Sequence, residues 1–485
     1  MLPSLARRYR ILNFMGSPVV APEPPVRFWA AVREALAGTH RDYTEGSISR
    51  AITLLAIPMV LEMVMESLFG VTDMFWVSHL GKDAVATVAL TESMLTLVFV
   101  VAMGLSMATT AFVARRIGEK DPEGAAVAAV QAIAIGIVVS IVWGAVGAWF
   151  ARDLLRLMGA TPAIIQTGQR YTGVLLGGTV TILLLFLTNA VFRGAGDAAI
   201  AMRVLWLANL INIALDPCFI FGLGPFPKLG VAGAAVATTI GRGCGVLYQL
   251  TILFSGQGRV VIRLPQIRIH AEVMWRLLRV SFNGMFQFLL SMGSWVALVR
   301  MIALFGAAAL AGYAIAIRLV IFVILPSWGM SNAAATLVGQ NLGAGKPDRA
   351  EASVWRAGLY NMIFLGGVAV IFLIFAEPVI RLFTNDPAVL PIGVACLRIV
   401  SCGNVCYAYG MAMVQAFNGA GDTFTPMIIN LFCYWLFQLP LAWTLSAHTR
   451  LTATGVFLAI PIAETGIAVV SILVFRRGRW KRVAI

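Results

Sequence analysis

The sequence predicts an all-α polytopic membrane protein with twelve transmembrane helices in two pseudo-twofold-related six-helix bundles. Composition, the rhythm of apolar runs and an internal repeat all point there. Of its 485 residues, 60% are hydrophobic and 12% charged, where a soluble chain of this length carries roughly 25% charged residues. Apolar surface must therefore be buried against lipid as well as against protein.

The chain opens with a tail, residues 1–46, rich in Pro and Arg, with Pro18, Pro22, Pro24 and Pro25 close together. No apolar core of signal-peptide length follows its basic start, and the tail is read as cytoplasmic and disordered. From Ala51 onward, apolar runs long enough to cross about 30 Å of hydrocarbon alternate with short loops. The predicted spans are 51–78, 91–114, 125–149, 163–189, 198–221, 230–254, 276–303, 316–339, 352–376, 388–415, 423–446 and 454–475. They group into an N-terminal bundle (47–258), a cytoplasmic linker (259–275), a C-terminal bundle (276–475) and a basic tail (476–485).

The net charge of +14 falls in clusters between apolar stretches, which argues against a nucleic-acid partner. The clusters are Arg7, Arg8 and Arg10; Arg115, Arg116 and Lys120; Arg259, Arg263, Arg268, Arg276 and Arg279; Lys346, Arg349 and Arg356; and Arg476, Arg477, Arg479, Lys481 and Arg482. With the N-terminus inside, all of them fall on the cytoplasmic side, as the positive-inside rule requires. Opposite loops hold only Lys82, Arg152, Arg156, Lys228, Arg381 and Arg450. Both termini are then cytoplasmic and the number of spans is even.

Adding 225 to a first-half position repeatedly reaches the same residue in the second half. Gly81 maps to Gly306, Gly104 to Gly329, Gly118 to Gly343 and Pro122 to Pro347, and FRGAGD (192–197) maps onto FNGAGD (417–422). Six spans per repeat give both copies one orientation, about an axis along the membrane normal. Transporters of this plan hold substrate between or within the halves and alternate access by rocking them.

An ionisable residue at membrane depth is a functional candidate by default. Asp73 lies near the outer end of span 1. Asn212 and Asp216 lie four residues apart near the outer end of span 5, on one helix face, and Thr238 lies in the outer half of span 6. These oxygen-rich side chains share a depth and suit a proton or a small hard cation such as Na⁺. Glu62 and Glu66 fall with Asp73 inside a sector of about 40° on span 1, so that stripe must face a cavity or be protonated as packing glue. Water entry or a bound organic cation favours ionised carboxylates, and a dry site favours protonated ones. Two close carboxylates titrate as a pair, so proton and cation compete, as antiport requires.

The second half breaks the symmetry: Leu298 and Leu441 stand where Asp73 and Asp216 would repeat. Span 7 offers Asn283, Gln287, Ser291 and Arg300 but no acid, so the coupling machinery is expected in the first half alone. Arg242, one turn beyond Thr238, is placed to pair with Asp216 or to shape the cavity; Gln287 joins Glu62, Glu66 and Arg242 as a cavity candidate. Arg300, Arg318 and Arg398 read as buried pairs or as side chains snorkelling from span ends.

Other patterns fail on inspection. GAGK ending at Lys346 lacks the Ser or Thr of a phosphate loop. GRGCG (241–245) has no βαβ context, and close helix packing explains its glycines better. His40, His79, His270 and His448 form no ligand set, and the six cysteines sit within apolar runs as packing residues. No enzyme constellation emerges.

The motifs TDMFWVSHLG around Asp73, GLSMATTAFVARRIGEKD from Gly104, FRGAGD, NIALDP from Asn212 and GVAGAAVATT from Gly230 make the sequence resemble the multidrug and toxic compound extrusion family. The second-half echoes GMSNAAATLVGQNLGAGKPD and FNGAGD agree, and the likeness covers residues 47–475. The closest pattern looks like the prokaryotic DNA-damage-inducible branch, whose first-bundle coupling network matches Asp73, Asn212, Asp216 and Thr238. The resemblance implies a V-shaped cavity between two bundles and efflux driven by a proton or sodium gradient. Other branches carry an acid on helix 7, which is missing here. The resulting expectation is a monomeric, cofactor-free exporter of cationic amphiphiles in the cytoplasmic membrane, exchanging them for H⁺ or Na⁺. The alternative is a lipid-linked oligosaccharide flippase, which calls for a basic cavity to hold pyrophosphate; an intramembrane enzyme ranks lower.

Overall fold

The computed structural model describes residues 28–38 and 41–485, and these contain twelve helices long and apolar enough to cross a bilayer. A short helix α1 (Phe28–Ala37) comes first. Spans 1 to 3 are α2 (Ile48–Ser78), α3 (Lys82–Gly118) and α4 (Pro122–Trp149). After α5 (Ala151–Leu157), span 4 is divided at Gly178 into α6 (Pro162–Gly177) and α7 (Thr179–Ala195). Spans 5 and 6 are α8 (Ala198–Phe221) and α9 (Val231–Ser255). The second half runs through α10 (Ala271–Ala303), α11 (Ala307–Gly343), α12 (Pro347–Arg381) and α13 (Leu390–Gly419). Span 11 is α14 (Phe424–Asn430), a π-helical stretch Leu431–Gln438 and α15 (Leu439–Ala447), and span 12 is α16 (Ala453–Arg476).

Several helices outrun their apolar runs. At about 1.5 Å per residue, the 37 residues of α3 and of α11 reach roughly 55 Å. Their ends stand beyond the hydrocarbon, where charged residues such as Asp83 and Arg115 continue the helix without cost.

The repeat is visible in how the halves touch. A Cβ on Gly118 would overlap the carbonyl oxygen of Gln340, and a Cβ on Gly343 would overlap that of Arg115. Under the 225-residue offset these two contacts are the same contact viewed from either half. Gly104 against Ser281 and Met285 on α10, and Gly329 against Met59 on α2, form a second reciprocal set. Only glycine lets backbones approach this closely. Both sets lie toward the end of the molecule where α2 begins and α16 ends, so the halves are closed against each other there.

Within residues 1–46, expected to be a disordered tail, the described part contains the helix α1. In α1, Ala31 and Ala35 are buried, and Ala35 joins Tyr43, Ile52, Leu55, Ala198, Ala333 and Leu337 in one apolar cluster drawn from both halves. Tertiary burial orders a segment whose composition alone looks unstructured. Residues 1–27, with Arg7, Arg8 and Arg10, and His40 lie outside the described residues.

Candidate functional site

The candidate first-half site is built from three helices. Asn212 Nδ2 on α8 donates to Asp216 Oδ1 one turn away at 3.2 Å, and to Thr238 Oγ1 on α9 at 3.1 Å. The bridge needs α8 and α9 in close contact, which Gly241 provides by packing on the Ala208 carbonyl and the Asn212 side chain. Pro217 follows Asp216 inside α8 and removes a backbone N–H, leaving the Ile213 carbonyl without its helical donor and loosening the helix beside the acid.

Asp73 is buried on α2 but takes no part in the Asn212 hydrogen bonds. It lies close enough for its charge to act on Asp216, and the buried Tyr171 of α6 feels both acids. Asp73 Oδ1, Asn212 Oδ1 and Asp216 Oδ2 are enclosed without any hydrogen-bond partner. Such orphaned oxygens are the donor set a proton or Na⁺ would complete. Among the described residues, no group of three His, Cys, Asp or Glu could hold a metal ion, so a metal here would rely on the Asn212 and Thr238 oxygens.

Further toward the closed end is a cavity of about 320 Å³ between the halves, whose wall includes Glu62, Glu66, Arg193, Met103, Phe99 and Trp328. Glu62 is 1% exposed, pairs with Arg193 Nη1 at 2.9 Å and accepts from Asn189 Nδ2 at 3.2 Å. Asn189 in turn accepts from Gln249 Nε2 at 2.5 Å, and Gln249 accepts from Thr188. Glu62 is thus half of a neutralised pair, whereas Glu66 has no such partner on the wall.

Arg242 does not line this cavity and forms no ion pair with Asp216. Its guanidinium stacks over Phe69 at 5.2 Å, within electrostatic reach of Glu66 and Asp73, so it stands between cavity and first-half network. Gln287 lines a second cavity of about 330 Å³ in the other half, with Trp295, Tyr407 and Tyr434. Phe288, Met292, Trp328 and Gln415 belong to both walls, so the two spaces adjoin. Arg300 and Arg398 are exposed, Arg398 Nε bonding the Leu373 carbonyl at 3.2 Å, and Arg318 is exposed facing Glu92. Arg318 thus has an acidic neighbour in the first half, while Arg300 and Arg398 have none among the described residues.

Sequence reasoning missed Tyr171, Asn189, Arg193, Gln249 and the second-half acid Glu464. One signal was available for Arg193: it is the single residue at which FRGAGD differs from its echo, where Asn418 stands.

The MatE family model matches residues 58–218 and 284–444, one block in each half. The probable multidrug resistance protein NorM of Thermotoga maritima is 29% identical over 443 residues, covering 90% of this chain and 94% of that protein. A FAD transporter of Shewanella oneidensis is 25% identical over 420 residues, covering 86% of this chain and 92% of its own. A solved outward-facing conformation of a multidrug resistance MATE family transporter has a TM-score of 0.85 at 28% identity, covering 92% of this chain and 100% of that one.

Proposed function

The chain belongs to the MatE family and is a multidrug efflux transporter, and we propose that it expels cationic amphiphiles in exchange for protons bound at Asp73 and Asp216. The observation that carries this reading is the set of three enclosed, unpartnered oxygens on Asp73, Asn212 and Asp216. A proton on either acid supplies the missing donor and removes a buried negative charge, and its departure restores both costs. Asn212 ties Asp216 to α9, so the charge state at α8 is felt as a pull on the α8–α9 contact.

The cargo class follows from the central wall. Glu66 is the acid on this wall that forms no ion pair, Arg242 acting on it only at a distance. Met103, Met107 and Met292 provide adaptable apolar surface, and Phe99, Phe288 and Trp328 offer aromatic faces to a cation. Arg242 links the sites electrostatically through Glu66 and Asp73, so cargo at Glu66 and a proton at Asp73 draw on one local field. The flippase reading fits less well, because Arg193 is the one base among the wall residues and Glu62 neutralises it. We place the protein in the cytoplasmic membrane with both termini inside, on the strength of the basic loops.

The test is efflux of a fluorescent cation from proteoliposomes with a pH or a sodium gradient imposed separately. The pH gradient should drive transport, and Asp73→Asn and Asp216→Asn should each abolish it. Transport that follows sodium alone would keep the site and change the ion. A transported cation indifferent to both gradients would end the antiport reading, and FAD moved in its place would reverse the cargo class.

A further inference from the structure

The second half contains a buried acid that the first-half network does not use. Glu464 on α16 is 7% exposed, and its Oε2 is enclosed with no hydrogen-bond donor. A Cβ on Gly403 of α13 would lie 2.8 Å from that oxygen, so the glycine is what makes room for the carboxyl group. The groups within its electrostatic reach are phenols: Tyr407 from α13, Tyr434 from the π-helical stretch and Tyr313 from α11. The thiols of Cys396 and Cys433 border the same phenols. α14 and α15 contribute no titratable side chain. The charged groups of α10, Glu272, Arg276, Arg279 and Arg300, are all exposed, and Arg276 pairs with Glu272. No ion pair to Glu464 occurs among the described residues.

The backbone around this acid is irregular on two sides. Leu431–Gln438 is π-helical and packs on α16, and π-helical turns are rare and concentrate at functional sites. Pro461 interrupts α16 one turn before Glu464 and removes the N–H that would bond the Phe457 carbonyl. Tyr407 and Tyr434, within electrostatic reach of the acid, also line the second-half cavity with Gln287. In the repeat, Glu464 occupies the position of Thr239, next to Thr238 of the first-half site.

We propose that Glu464 is a second proton-binding site, in the C-terminal half, whose protonation state sets the positions of the Tyr407 and Tyr434 hydroxyls in the cavity wall. The neutral acid is the form that this partnerless pocket accommodates. When the proton leaves, the carboxylate needs donors, and of the three phenols within its reach Tyr407 and Tyr434 are the two that border the cavity. They turn from the cavity toward Glu464, and the π-helical stretch carries Tyr434 with it. The ligand is the proton alone, and the assignment does not rest on Asp73 or Asp216 exchanging protons.

The test is an infrared pH titration of the full chain in lipid, in an Asp73→Asn/Asp216→Asn background so that these two acids are silent. A protonated-carboxyl band should grow on acidification, with tyrosine ring modes shifting at the same pH. Glu464→Gln should delete that band and the tyrosine shift, and Glu464→Asp should displace the band but keep it. The proposal is overturned if Glu464→Gln leaves the titrating bands unchanged. Should the glutamine variant fail to fold, Glu464→Asp decides alone: an unmoved band has the same meaning.

Discussion

At Asn212 a single amide nitrogen serves two oxygens, Asp216 Oδ1 and Thr238 Oγ1. Asn212→Ala strips both of their donor, and each buried group left unsatisfied costs about 1–3 kcal/mol. The variant should melt at lower temperature and lose most pH-driven efflux, read by thermal unfolding in detergent and by proteoliposome transport. Glu62→Gln leaves the Arg193 charge buried and unpaired, at a cost of about 3–5 kcal/mol. Glu62→Gln/Arg193→Gln removes both charges and should recover most of that loss, a non-additivity that a double-mutant thermal cycle measures. These two clusters differ in how legible they were. Asp73, Asn212, Asp216 and Thr238 stood out because polar groups in apolar runs are conspicuous and their depth can be counted along a helix. That Glu62 meets Arg193 and Asn189, from a helix more than a hundred residues later, is set by packing that no local pattern encodes. Glu464 is legible by the same rule as Asp73, as a lone acid in the apolar run of span 12.

The twelve helices were legible because lipid forces every backbone group to bond within its own helix, and run length then marks the spans. What escaped was the interruption of helices, as at Gly178 in span 4 and Leu431–Gln438 in span 11, and the order of α1. Interruptions depend on neighbours that replace lost backbone bonds. The reciprocal crossing of α3 and α11 gives a prediction at this scale. Gly118→Ala and Gly343→Ala each press a methyl group onto the partner's carbonyl, so each should destabilise by about 1–3 kcal/mol. By pseudosymmetry the two losses should be similar, which paired melting curves would show. The segment after α1 carries a pH dependence. Partial burial opposes ionisation of Asp42, but donors from the Thr44 hydroxyl and amide, with Lys120 and Lys346 nearby, outweigh it and hold the group below the ordinary 3.8. A carboxyl depressed on folding contributes stability above its unfolded pKa and loses it as pH falls through the folded value. Docking of residues 41–46 should therefore persist from neutral pH to about pH 4 and weaken in stronger acid. Hydrogen exchange of this segment, corrected for the intrinsic rate, is the measurement; protection that fades between pH 7 and 5 would show that Asp42 does not hold it.

In the whole molecule, the basic loops do more than set orientation. Lys346 donates to the Thr44 carbonyl at 3.0 Å, and Arg349 bonds the carbonyls of Tyr43, Glu45 and Gly46, fastening the segment before α2 to the second half. Arg259 reaches the Arg41 carbonyl and pairs with Asp197 of the first half, and Tyr43 bonds the Gly196 carbonyl. On the other side, Arg115 holds the carbonyls of Ala420 and Val483, while Lys481 pairs with Asp348 and Glu351. The straps of Lys346, Arg349 and Arg115 cross the seam between the halves, at the end where Gly118 and Gly343 already bring α3 and α11 together. Alternating access requires this seam to part, so each strap that crosses it stabilises the state seen here against the one open at that end. Lys346→Ala/Arg349→Ala should therefore shift the population toward the state open at the termini. Spin labels at Val71 and Val296, exposed and related by the repeat, would report it in a background without the six native cysteines. Their separation should shorten as the opposite end closes. If the distance distribution stays as in the parent, the glycine-mediated contacts alone hold the seam, and the basic loops act only on orientation.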